Sequence, residues 1–84
     1  MFEAHVQVTL KKSVLDPQGE TVRGALSTLG FHGVEDCRIG KFMVLRLKET
    51  DPAKAGAQVE EMCRKLLANP VIEDYVFQLR EVAG

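Results

Sequence analysis

Eighty-four residues make one domain, spanning 1–84, near the small end of what folds without staples, with a typical total stability of only about 4–13 kcal/mol. Eleven basic residues against twelve acidic ones leave a net charge of −1, so nucleic acid is not an expected partner. Hydrophobic residues make up 45% of the chain, yet no run approaches the ~18 apolar residues of a membrane helix.

The first strand begins almost at Met1, leaving no room for a targeting segment ahead of it, so a cytoplasmic protein is expected. Cys37 and Cys63 have no second Cys or His at metal-ligand spacing, and the expectation is two buried thiols acting as small hydrophobes. From Glu3 to Leu10 the pattern alternates, with Ala4, Val6, Val8 and Leu10 on one face and Glu3, His5, Gln7 and Thr9 on the other. The segment "LDPQGETV" (Leu15 to Val22) then turns the chain and opens a helix. Asp16 suits its cap, and Pro17 suits its first turn because the missing N–H would have had no helical partner there. The helix is predicted over Pro17 to Leu29, with Val22, Ala25, Leu26 and Leu29 as its apolar stripe and Gly30 as a left-handed stop.

Residues Val34 to Lys48 pose a choice between a hairpin at Gly40-Lys41 and one long strand bent or bulged at Gly40. A hairpin would align Arg46 and Lys48 with the apolar face and turn Met43, Leu45 and Leu47 outward, so the phases favour the single strand. Such a strand would reach ~50 Å at ~3.3 Å per residue. A compact chain of this length has a diameter of only ~30 Å. The strand would overhang its own domain and invite pairing with a second copy. Asp51-Pro52 opens a second helix with Val59, Met62, Cys63, Leu66 and Leu67 as its stripe. Asn69-Pro70 stops it, and Val71 to Val82 is the last strand.

The two halves echo each other, each with Asp-Pro, a helix and then "VED" or "IED". The fold class expected is α+β, a β-α-β-α-β order related to ferredoxin-like folds. It has a long bent central strand, two helices on one face of an antiparallel sheet, and a sheet extended across a dimer.

Chemistry is hard to place on this frame. Glu35/Asp36, Glu60/Glu61 and Glu73/Asp74 are neighbours in sequence, but adjacent strand residues point to opposite faces, and Glu60 and Glu61 have Arg64 and Lys65 for surface pairing. His32 and Cys37 are the Cys–His pair closest in sequence, one in a loop and the other on an apolar face. "LDPQGETV" has one Gly and no Gly-Lys-Ser/Thr, so it is a poor phosphate site, whereas "RIGK" (Arg38 to Lys41) brackets a flexible Gly with two cations. No catalytic, cofactor-binding or metal-ligating residue is expected.

Four stretches, "VLDPQG" (Val14 to Gly19), "ALSTLGF" (Ala25 to Phe31), "V..CRIGK" (Val34 to Lys41) and "LLANPVIEDY" (Leu66 to Tyr75), together resemble the PurS family over essentially the whole chain. Cys37 stands where such sequences usually carry Val. The resemblance implies a small, non-catalytic subunit of phosphoribosylformylglycinamidine synthase in purine biosynthesis. It implies that a PurL subunit uses ATP and magnesium, that a PurQ subunit hydrolyses glutamine, and that a PurS dimer or tetramer joins them. No cofactor is then expected on this chain, and neither nucleic acid nor a membrane as partner. Motif position makes Asp16, Pro17, Gln18, Gly19, Arg38, Gly40, Lys41, Asn69 and Pro70 candidates for the partner interface. Asp16 is read as the cap, Gly19 with Gln18 as exposed contact and close-approach point, and Arg38 and Lys41 as charge for a partner. The competing reading is an ACT-like module that senses a small metabolite.

Overall fold

Alternation buries Phe2, Ala4, Val6 and Val8 on one face of β1 (Phe2–Leu10), and this strand lies at the centre of the sheet in the computed structural model, which describes residues 1–83. Its neighbours are β2 (Gly40–Leu47) on one side and β3 (Glu73–Glu81) on the other, each antiparallel to it. Those two flanking strands therefore run parallel to each other, and the chain between them must cross a face of the sheet. It does so as α2 (Pro52–Met62), capped by the Asp51 carboxylate on the Ala53 N–H at 3.0 Å. Val59 and Cys63 meet Val6 and Val8 in the core, where each buried Val contributes about 1.5–3 kcal/mol. The Tyr75 hydroxyl donates to Glu60 Oε1 at 2.6 Å and fastens α2 to β3. Glu60 is thus half-buried and used internally, while Glu61 makes the expected surface pair with Lys65 at 2.6 Å.

The second helix does not end as its stripe predicted. Residues Cys63–Leu67 widen into a π-type turn closed by the Ala68 N–H on the Cys63 carbonyl at 2.9 Å. The extra residue in that turn shifts the phase, so Leu66 points out at 83% exposed and only Leu67 turns inward. Val71 and Ile72 form a turn rather than strand, so β3 begins two residues later than expected and keeps Tyr75, Phe77 and Leu79 on the core side.

The strand expected from Val34 to Lys48 is shorter in the structure, and it lies at a sheet edge rather than the centre. Gly40 is its first ladder residue, opposite Thr9, because Ile39 gives its N–H to Asp16 Oδ2 and β1 ends one residue further on, at Leu10. Val34 to Ile39 therefore run on without a ladder in the chain, and there is no hairpin at Gly40-Lys41. The expected phase of Met43, Leu45 and Leu47 toward the core holds.

Thr9 and Gly40 are so close that a tight turn could have joined β1 to β2. Instead residues 11–39 leave the sheet as a long excursion that carries α1 (Pro17–Thr28). This helix starts on Asp16 and Pro17 as predicted. It ends in a Schellman cap, with the Phe31 N–H on the Leu26 carbonyl, the Gly30 N–H on the Ser27 carbonyl and Gly30 at φ 100°. Adjacent antiparallel strands impose no crossover, so nothing draws α1 over the sheet. Its expected stripe is largely uncovered: Leu26 is half-buried, but Leu29 and the following Phe31 are 72% and 59% exposed. Of the two helices expected on the sheet, α2 alone covers the core. The molecule measures 49 × 28 × 14 Å with a radius of gyration of 16.3 Å. A compact chain of this length would have about 12 Å.

Candidate functional site: the corner where the excursion leaves the sheet

Asp16 is the pin of this corner. Its Oδ1 accepts the Gly19 N–H at 2.9 Å and its Oδ2 accepts the Ile39 N–H at 2.8 Å, so one carboxylate caps α1 and ties the outgoing chain to the returning one. Those bonds, first from Ile39 and then from Gly19, with the Arg38 charge nearby, hold the buried Asp16 carboxyl below its ordinary value. Gly19 is buried against the Cys37 carbonyl, and an added Cβ would lie 2.9 Å from the Cys37 carbonyl carbon and closer still to its oxygen. Its close approach is therefore to its own chain, not the exposed partner contact expected of it. Arg38 is likewise used internally, donating to the Val14 carbonyl at 2.7 Å and the Lys12 carbonyl at 2.8 Å. Its Nε, buried, has no hydrogen-bond partner among the described residues and lies 3.9 Å from Asp36.

Pro17, Gln18, Gly40 and Lys41 line the same corner, around a cleft of about 320 Å³. Pro17 and Gln18 are exposed, and Lys41 extends its Nζ to 3.9 Å from Glu73 and 3.4 Å from the Leu67 carbonyl. Glu73 in turn accepts the Asn69 N–H at 2.7 Å, and Asn69 Oδ1 receives the Val71 N–H at 3.1 Å, which shapes the exposed Asn69-Pro70 turn. Residues chosen from three separated motifs thus gather at one end of the sheet, linked by ties rather than by reactive groups. His32 bonds Ser27 Oγ through Nδ1 at 3.2 Å, not Cys37. Among the described residues no group of three His, Cys, Asp or Glu could hold a metal ion, and no helix is long and apolar enough to cross a membrane.

Because Asp16 titrates lower folded than unfolded, its contribution is complete above the unfolded value near pH 4 and is lost as pH falls through the folded one. Asp16→Ala is expected to lower the Tm at pH 7 by about 5–10 °C through loss of the cap and the strand tie. It should also flatten the drop in Tm expected of wild type between pH 5 and pH 3. Thermal denaturation of both proteins at the two pH values checks this.

Two surfaces were not singled out by sequence. One is an apolar groove of about 590 Å³ beside α2, formed by Leu45, Met62, Leu66 and Leu67 with Gln58 and Lys65 on its rim. The other is the outer sheet face, where Phe42, Val44 and Val76 are all more than half exposed. The unbroken run Phe42 to Leu45 was the signal for the second, since a strand that is apolar on both sides is built for cover on both.

Residues 3–81 match the family model PurS, described as phosphoribosylformylglycinamidine (FGAM) synthase. The PurS subunit of phosphoribosylformylglycinamidine synthase from Bacillus subtilis (strain 168) is 49% identical over 84 residues, covering 100% of this chain and 99% of that one. A crystal structure of PurS from Methanocaldococcus jannaschii, 42% identical, superposes with a TM-score of 0.86 over 99% of this chain and 100% of that one. A chain of the PurLQS structure from Thermotoga maritima, 32% identical, gives 0.85 over 94% and 96%. Sequence and fold agree along nearly the full length, and the chain belongs to the PurS family, subunits of phosphoribosylformylglycinamidine synthase.

Proposed function

We propose that this chain is the non-catalytic assembly subunit of its synthase, joining an ATP-dependent PurL subunit to a glutaminase PurQ subunit in the cytoplasm. The complex converts formylglycinamide ribonucleotide, glutamine, ATP and water to the amidine, glutamate, ADP and phosphate. ATP and magnesium are used on the synthetase subunit, and this chain binds neither. The observation that carries the reading is the likeness to a chain of the PurLQS structure. The exposed corner residues Pro17, Gln18, Lys41, Asn69 and Pro70 are the proposed contact surface, and Asp16, Gly19, Arg38 and Gly40 hold it in shape.

The chain joins its partners as a dimer or higher assembly. Among the described residues the stripe of α1 is largely uncovered and the groove beside α2 has no occupant, and a second copy supplies each to the other. A 12-residue helix is about 18 Å long, a fair match to a groove running beside an 11-residue helix. Val34 to Arg38 lead into β2 outside the chain's own ladder and extend the sheet into the second copy, while the Ile39 N–H stays with Asp16.

Mixing the PurL and PurQ subunits with and without this chain, and following glutamine-dependent amidine formation, tests the role. Loss of activity of at least ~100-fold on omission is expected, because ammonia released away from the synthetase is diluted into solvent. An unchanged rate would reject the role.

A further inference from the structure

The outer edge of β3 is bare backbone. The Lys11 N–H bonds the Ile72 carbonyl at 2.8 Å and the Val82 N–H bonds the Met1 carbonyl at 2.9 Å, and these two bonds frame the ladder between β1 and β3. Residues of an antiparallel strand alternate between bonding one neighbour and facing away from it. Asp74, Val76, Gln78 and Arg80 therefore bond β1. Tyr75, Phe77, Leu79 and Glu81 turn both N–H and carbonyl outward, where no bond reaches them among the described residues. The strand has none of the devices that blunt an edge: it contains no proline, no bulge interrupts its register, and no charge stands between Tyr75 and Leu79. On the α2 side of this edge Tyr75, Phe77 and Leu79 are only half-buried, and Val76 on the opposite face is 62% exposed.

We infer that this edge receives an extended segment of a partner subunit of the synthase, added beside β3 as a further strand of the sheet. The inference rests on the assembly role proposed above. Position and charge select the occupant. The Asn69-Pro70 turn of the proposed contact corner leads into β3, with the Glu73 N–H on the Asn69 carbonyl at 2.7 Å, so a partner seated on the corner lies at the start of the edge. The second copy is engaged at the far side of the sheet, through the approach to β2. Two copies of β3 joined antiparallel over their full length would set Glu73 opposite Glu81 at both ends, a like-charge contact that disfavours a second copy here. The Asp74 and Arg80 pairs on the other face offset little of it, because Asp74 already holds Lys11 at 3.0 Å and Arg80 stands opposite Glu3. The ladder also sets what the segment must be. A new strand lies about 4.8 Å from its neighbour. A run of about five residues, uncharged at its centre and apolar at alternate positions, therefore closes the open backbone groups and covers Tyr75, Phe77 and Leu79.

Hydrogen exchange, quenched in acid and read amide by amide by mass spectrometry, tests this on the isolated chain and on the synthase reconstituted from its three subunits. In the isolated chain the Tyr75, Phe77 and Leu79 amides are expected to exchange at least ~100-fold faster than those of Val76 and Gln78, which the ladder holds. In the complex they should slow by at least ~100-fold. Glu81→Pro removes an outward N–H and leaves the ladder to β1 whole, so with its fold checked by circular dichroism it should raise the concentration of this chain needed for half-maximal amidine formation at least ~5-fold. Outward amides already slow in the isolated chain would give the edge to a second copy and overturn the inference. Outward amides that stay fast in an active complex would overturn it too, while leaving the assembly role standing, as would a folded Glu81→Pro chain as effective as wild type. An amidine rate that does not depend on the chain removes the assembly role itself, and the inference falls with it.

Discussion

Gly40→Ala is expected to cost about 3 kcal/mol, a large part of what so small a domain has to lose. The glycine sits opposite Thr9 at the point where β2 joins the ladder, and an added Cβ would lie 2.7 Å from Thr9 Cγ2 and closer still to the Val8 carbonyl oxygen. The Thr9 methyl can rotate away, but the carbonyl belongs to the central strand and cannot move without breaking pairs on both of its sides. Gly19→Ala should behave alike, since its obstacle is also backbone, the Cys37 carbonyl. Gly24→Ala is the control. It lies on α1 with nothing near its would-be Cβ, so it should raise stability by about 1 kcal/mol. Urea denaturation of the three variants measures the differences, and a loss below about 1 kcal/mol for Gly40→Ala would contradict the steric account.

The second large effect is on assembly. Leu29→Glu combined with Phe31→Glu places two carboxylates at the exposed end of the α1 stripe, where both side chains are more than half exposed. Stability of the single chain should change by less than about 0.5 kcal/mol, because neither residue is buried in it. The same charges buried against the apolar groove of a second copy would each be unpaired, at several kcal/mol per ion. The pair of substitutions should therefore split the dimer by at least ~100-fold in its midpoint concentration and remove support for the reconstituted synthase. A variant that assembles like wild type would place the dimer contact elsewhere.

Much of the fold could be read from local chemistry. Asp16-Pro17 and Asp51-Pro52 opened helices where expected because a cap and a first-turn proline act within four residues. The inward phase of β1 and of Met43, Leu45 and Leu47 followed from alternation alone. What escaped depends on distant partners. Val34 to Ile39 look like strand, but a strand needs a neighbour, and β1 had already ended. Likewise α1 looks amphipathic and is, yet amphipathicity does not say whose sheet will cover it. Arg38 read as a free cation because nothing in "RIGK" shows that the Lys12 and Val14 carbonyls, more than twenty residues earlier, return to meet it. The corner was legible as a set of residues and not as a set of ties. Family membership came from the motifs together, not from any single one.

A radius of gyration of 16.3 Å and an unclad helix make sense for a chain that is finished only by another copy of itself. Sedimentation equilibrium of the isolated wild-type protein at micromolar concentration measures this directly. The account predicts a mass of twice 9.3 kDa or an even multiple of it, whereas 9.3 kDa across the whole concentration range would contradict it.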